Sequence, residues 1–424
     1  MNDELDNRLS HRSPRMRLWL QFLMLAALCV GLTLGLLVSV IVWGWSADEN
    51  HEWNAERTRG LLIGEAHAVV PGPGMPPGLE LGASNNNLDW TLHEGRVYLG
   101  FRSAPRHWAS AEARMIILSA GEGAELDPSA KWTFEAEFRI DDRDLREPRF
   151  LSMGDRLLFY FFEADSQPGV FSPNSIRVSE WTESGSWSQS TPIFEPGHVV
   201  WRTKWRNGVA WMSVYNGQEL YERRGKARSV RLLRSSNGID WVSVSGGESP
   251  ILQAGGGECA FEFDEEGNLV ALVRVEPRGA LICTAPAQRL DQWDCDPTPY
   301  RHDSPLLVRH GDRFFAIARR SLAGPVERMP RWLPGDLPLA LDQLRFWWSR
   351  LRTTVYEIAP QSRTIYPLAD LPSRGDTAFA SAIDLGGGNF AIANYSSPLE
   401  GPDWPWAIGQ NVETRVYALP LKLP

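Results

Sequence analysis

Hydrophobic positions fall into two regimes along the chain. From Leu18 to Trp45 the sequence reads LWLQFLMLAALCVGLTLGLLVSVIVWGW, uncharged, with polar interruptions at Gln21, Thr33 and Ser39. A helix rises about 1.5 Å per residue and needs about 20 apolar residues to cross a bilayer. The run therefore predicts one transmembrane helix, with Trp19, Trp43 and Trp45 placed as interfacial aromatics. After a Pro/Gly-rich stretch, Pro71–Gly78, the pattern changes to a turn followed by an aromatic-rich alternating strand, often ending in Arg. Six copies occur: Glu94–Ser103, Gly154–Ala164, Asn207–Asn216, Glu266–Glu276, Gly311–Arg320 and Gly387–Ser397. Each turn pairs Gly with Asp, Asn or Glu, as tight hairpins require.

Copies recurring at roughly 45–60 residues are in the range of propeller blades. The expected fold is all-β, a six-bladed β-propeller preceded by one transmembrane α-helix; a β-sandwich is the alternative. The expected organisation is a tail over 1–17, the membrane helix over 18–45, a linker over 46–82 and the propeller over 83–424. An insertion over 324–352 separates the fifth and sixth copies. Its second half, Leu337 to Leu351, predicts a helix that caps the funnel, lies on the membrane or packs on the rim.

Charge orients the chain. Arg12, Arg15 and Arg17 precede the span, and Asp48, Glu49, Glu52 and Glu56 follow it. The positive-inside rule then places the N-terminus in the cytoplasm and the propeller in the periplasm or outside the cell. A net charge of -9 argues against nucleic acid as a partner. Gly31 and Gly35 form a GxxxG pair suited to a homodimer. Of the four cysteines, Cys283 and Cys295 are close enough to close a small loop, which spacing alone leaves open.

Ser235-Ser-Asn-Gly-Ile-Asp-Trp241 is close to S-x-D-G-x-x-W, and Ser119…Trp132, Ser184…Trp187 and Thr284…Trp293 are degenerate versions. These resemble the Asp-box repeats of sialidase-like propellers. The order of elements is also similar to a bacterial group of sialidase-like proteins, mostly without assigned activity. The segments that carry this are Ser84–Asp89 with Phe101-Arg102 and His107, Leu145–Arg149, Glu258 with Phe263, Gly267 and Arg274, Arg374–Thr377, and Asn394–Ser397. Arg146-Glu147-Pro148 and Glu258-Cys259 also resemble the carboxylate motifs of five-bladed, invertase-type glycosidases, whose NDPNG-like box is absent. The Arg-Ile-Pro segment of sialidases stands here as Arg139-Ile140-Asp141.

Asp89, Glu147, Glu258 and Asp376 stand near the starts of first strands and are the expected acid and nucleophile or base of a glycosidase. Tyr395 is the candidate that sialidase resemblance would make a nucleophile, with Glu258 as its base. Arg102, Arg146, Arg274 and Arg319 are expected to fork the carboxylate of an acidic sugar. Each has a structural alternative: turn caps for Asp89 and Asp376, an ion pair between blades for Arg146 and Glu147, a ladder for the strand-end arginines, packing for Tyr395. No metal spacing, GxSxG elbow or P-loop occurs, and no metal or cofactor is expected. The expected function is recognition of a glycan or glycoconjugate, with hydrolysis as the candidate activity. The alternative is a non-catalytic glycan- or protein-binding propeller of the cell envelope.

Overall fold

A computed structural model describes residues 14–49, 53–167, 172–216, 229–247, 251–252 and 255–424. The tail up to residue 13, with Arg12, and Glu52 lie outside the described residues.

Helix α1 (Pro14–Ser46) contains the apolar run, and its Phe22–Ser46 part is long and apolar enough to cross a membrane. Among the described residues, the strands after it form six antiparallel sheets. Their first strands are Ser84–His93, Arg143–Met153, His198–Arg206, Gly256–Phe263, Asp303–His310 and Thr377–Gly386, opening blades 1 to 6. Each first strand packs against those of the blades before and after it, and the sixth packs against the first, so the sheets close into a ring. All six turn signals in the sequence are the hairpins between first and second strands.

The second strands are less alternating than the sequence pattern predicts. Leu157 to Phe162 of blade 2 are all at 0% exposure. A blade has neighbours on both faces, so a strand buried on both sides carries a continuous apolar run. Tyr98, Phe150, Phe159 and Phe161 fill the seam between blades 1 and 2, and Leu307, Phe314 and Tyr356 belong to the one between blades 4 and 5. Each such side chain contributes about 1.5–3 kcal/mol when removed from water.

The expected linker 46–82 takes part in ring closure. Leu62–Ile63 and His67–Val70 pair with Arg415–Lys422, the third strand of blade 6. The outer strand of the last blade therefore comes from the start of the propeller. Cys283 and Cys295 face each other across the third and fourth strands of blade 4 and are bonded. In the turn after Ser235, the Asn237 carboxamide accepts from the N–H groups of Ile239 and Asp240 at 2.9 Å, while the Trp241 indole donates to Gly238. Gly238 has φ +72, and a Cβ there would meet Leu158 and Tyr160, so glycine is needed on both counts.

The insertion holds helix α2 (Leu337–Trp347), and a short helix α3 (Trp406–Gly409) lies in the connection between the second and third strands of blade 6.

Candidate functional site

Every first strand breaks register with its neighbour at one level. The breaks lie between Asn86 and Leu88, Arg146 and Arg149, Val200 and Arg202, Gly256 and Cys259, Asp303 and Leu306, and Ala378 and Ser381. A bulge adds residues without a ladder partner and re-aims their side chains. Repeated in six blades, it gathers Asn87, Glu147, Trp201, Glu258, Ser304 and Phe379 around the axis. Asn87, Glu147, Ser304 and Phe379 have φ between 41° and 59°, the left-handed backbone that such a bulge imposes. The contacts confirm the convergence. Asn87 Nδ2 donates to Glu147 Oε1 at 3.2 Å, Glu258 Oε2 accepts from the Ser304 N–H at 2.6 Å, and the rings of Trp201 and Phe379 lie 5.2 Å apart.

Above this ring lies a cleft of about 170 Å³. Connections between second and third strands build its walls: His107 to Ala109 from blade 1, Trp347 of α2 from blade 5, and Trp406 and Gln410 from blade 6. Tyr215, Arg274, Glu276 and Arg319, from the ends of second strands, complete it.

Five of the expected site residues line this cleft: Glu147, Glu258, Arg146, Arg274 and Arg319. Arg274 is the hub of the ionic network. It donates to Glu258 at 2.7 Å and Glu276 at 2.8 Å, and its Nε lies 3.2 Å from Asp303. Burial opposes its charge, but Asp303, Glu258 and Glu276 outweigh burial and raise its pKa. Arg301 also pairs with Glu276 and Asp303, and its Nη1 donates to Gln343 Oε1 of α2 at 2.8 Å. Arg319 lies 3.4 Å from Asp303 and stacks on the Trp406 ring, 4.6 Å from its centroid. Arg146 pairs with Asp144 and donates to the His107 carbonyl at 2.8 Å.

Glu147 differs from the other cleft carboxylates. Arg149 lies 3.7 Å from its Oε2, which has no hydrogen-bond donor among the described residues. Burial pushes its pKa up to about 8, with the charge of Glu258 adding to the effect and Arg149 opposing it. At neutral pH Glu147 is thus mainly a protonated acid, in the same cleft as the Arg-paired Glu258.

The remaining expected residues stand elsewhere. Asp376 is fully buried behind the cleft wall. It accepts from His107 Nδ1 at 2.6 Å, from the Trp406 indole at 2.9 Å and from the Tyr395 hydroxyl at 3.1 Å. Burial acts to raise its pKa, but His107, Arg319 and the Trp406 hydrogen bond outweigh it and hold the carboxyl below the usual range. Burial lowers the His107 pKa against the pull of Asp376. Tyr395 has 0% exposure, and the same burial, with Asp376 next, raises its pKa well above the ordinary value. Its hydroxyl donates to Asp376, and Tyr395 does not line the cleft. Arg102, at 0% exposure, grips Asp144 at 2.7 Å and the carbonyls of Arg106 and Trp108, so it ties blade 1 to blade 2. Asp89 lies two residues beyond the bulge and lines a different cavity, with Arg149 and Arg202. It accepts from the Phe150 N–H at 2.8 Å and the Ser381 hydroxyl at 2.6 Å.

Sequence reading did not single out Asp144, Glu276, Arg301, Asp303 or Trp406, and gave His107 no role. Glu276 ends one of the six repeat copies, which was its available signal. Among the described residues, no cluster of three or more His, Cys, Asp or Glu is placed to hold a metal.

The chain is similar to a protein of unknown function from Dyadobacter fermentans, at 13% identity and TM-score 0.58, over 86% of this chain and 100% of that one. It is also similar to Trypanosoma rangeli sialidase in complex with the inhibitor DANA, at 11% identity and TM-score 0.59, over 85% of this chain and 60% of the enzyme. The same sialidase in complex with sialic acid matches at 10% identity and TM-score 0.55, over 89% of this chain and 59% of the enzyme. The chain thus matches only about three-fifths of the trypanosomal sialidase. No family model and no curated protein matches it. At these identities the likeness is one of architecture, and the chain has the sialidase-like six-bladed β-propeller fold.

Proposed function

We propose that this chain is a membrane-anchored, extracytoplasmic propeller that recognises a glycan in its axial cleft and hydrolyses it with Glu147 as the acid. Glu147 carries the reading: it is a buried carboxyl kept protonated near neutral pH, in one cleft with a second carboxylate, Glu258, that is paired with Arg274. Glycoside cleavage uses such a pair, one group protonating the leaving oxygen and the other attacking or activating water. Here Glu258 fills the second role, held by Arg274 and the Ser304 N–H. Arg319, stacked on Trp406, and Arg146 offer charge to an acidic sugar, and Trp347 and Trp406 offer flat faces to a sugar ring. Trypanosoma rangeli sialidase, of the same architecture, is described with sialic acid bound.

The apolar α1, flanked by arginines before and acids after, supports an anchor with its N-terminus in the cytoplasm. The Cys283–Cys295 bond fits an oxidising compartment on the far side. The turn at Ser235–Trp241 supports the Asp-box reading.

A second reading, a binding propeller without catalysis, is favoured by the pairing of Asp144, Glu258, Glu276 and Asp303 with arginines and by the burial of Tyr395. The deciding experiment is turnover of a panel of fluorogenic glycosides, sialosides included, by the full chain in micelles. Turnover lost in Glu147→Gln and Glu258→Gln establishes the hydrolase. No turnover on any member of the panel transfers the cleft to the binding reading.

A further inference from the structure

The anchor does not leave the propeller on a free tether. The last turns of α1 pack on α2: Leu37 and Val40 lie in one cluster with Met329, Leu333, Leu341 and Leu344. The Arg345 guanidinium sits over the Trp43 ring, 4.7 Å from its centroid. A Cβ on Gly44 would collide with the Arg345 carbonyl, so the two helices approach backbone to backbone there. Beyond the helix, Arg350 donates to the Ala47 carbonyl at 3.1 Å, and the Glu49 N–H donates to that of Leu322 at 2.9 Å.

These contacts fix a depth. At about 1.5 Å per residue, Leu37 lies roughly 12 Å along the helix from Trp45. The packing on α2 therefore begins inside the apolar span, not after it. The insertion also exposes large apolar side chains, among charged ones. Trp332 is 81% exposed, and Leu337 and Trp347 are about two-fifths exposed. Arg328 and Arg331 stand exposed beside them. Trp, Leu and Arg together on one surface suit the headgroup layer, where rings bury and guanidinium groups meet phosphates.

We propose that α2 and the Trp332 loop rest in the outer lipid interface and hold the mouth of the cleft close to the membrane surface. Trp347 of α2 both lines the cleft and is partly exposed, so α2 borders the cleft. A ligand of the cleft is then the headgroup of a membrane-borne glycoconjugate. The inference rests on the reading of α1 as an anchor.

The test uses the full chain in phosphatidylcholine nanodiscs with an environment-sensitive thiol label at one position at a time. Native Cys29, exposed on α1, reports the anchor. Trp332→Cys and Leu337→Cys, each in a Cys29→Ala background, report the shelf. Asp155→Cys, in the exposed hairpin at the far end of blade 2, is the control. The expected result is strong quenching of the Cys29 label by nitroxide lipids. The Trp332 and Leu337 labels should be quenched severalfold more by headgroup-level nitroxides than the Asp155 label, and shielded from aqueous iodide. Quenching at Cys29 with the shelf labels behaving like Asp155 overturns the inference and leaves the anchor intact. No lipid quenching at Cys29 overturns both.

Discussion

Replacing Glu147 with Gln tests the electrostatics of the cleft without any substrate. In the folded chain the Glu147 pKa lies at about 8, against 4.5 for an ordinary Glu. The unfolded chain ionises this group freely above pH 4.5, while the folded chain must hold it protonated. Folding therefore loses stability as pH rises between these two values and loses no more above the upper one. Each pH unit in that window costs about 1.36 kcal/mol, so the penalty reaches roughly 3 kcal/mol at pH 7 and roughly 5 kcal/mol beyond pH 8. Gln cannot ionise, and its amide oxygen still accepts from Asn87. The variant should match the wild type near pH 4.5 and become progressively more stable from pH 5 to 8. Urea unfolding of the full chain in micelles, followed by tryptophan fluorescence at several pH values, reads this difference. A stability difference that stays flat over that range, or one that grows in favour of Glu, would show that the fold does not hold Glu147 protonated. Either result would mean that Glu147 is ionised in the fold with Arg149 as an effective partner.

Other perturbations follow from the same network. Arg274→Met leaves Glu258, Glu276 and Asp303 short of their main cation and should destabilise the chain by about 3–5 kcal/mol in urea unfolding. Asp376→Ala removes the acceptor of His107, Trp406 and Tyr395 and should lower stability by at least 2 kcal/mol or so, with the Tyr395 ultraviolet titration shifted downward. Loss of the Cys283–Cys295 bond in a double Ala variant opens a short loop and should cost about 3 kcal/mol by chain entropy, read as a lower melting temperature.

The parts legible in the sequence were those with a local cause. Gly with Asp, Asn or Glu before an apolar run dictates a hairpin wherever it occurs, so six copies announced six blades. An uncharged run as long as a bilayer is thick announced α1. The site was legible only where repeat and bulge coincide. Glu147 and Glu258 both occupy unpaired positions in the register breaks of two first strands, but a register break has no side-chain signature. The same unseen break separated Asp89 from them: two residues past the bulge, it turns to a different cavity. Arg102 and Tyr395 were residues of suitable chemistry that the ring uses for packing and cross-blade pairing. His107, Trp347 and Trp406 lie in connections outside the repeat, whose course is set by contacts distant in sequence. The alternation expected of the second strands failed because blades bury both faces of a sheet.

Blocking the axial cleft by volume alone tests whether it is a glycan site. Ala109 lines the cleft and carries no charge. Binding of the full chain in micelles to an array of neutral and acidic glycans should select one class, and Ala109→Trp should abolish that binding with the melting temperature unchanged. Binding that survives in Ala109→Trp, or no glycan bound by the wild type, would mean that the cleft is not a glycan site.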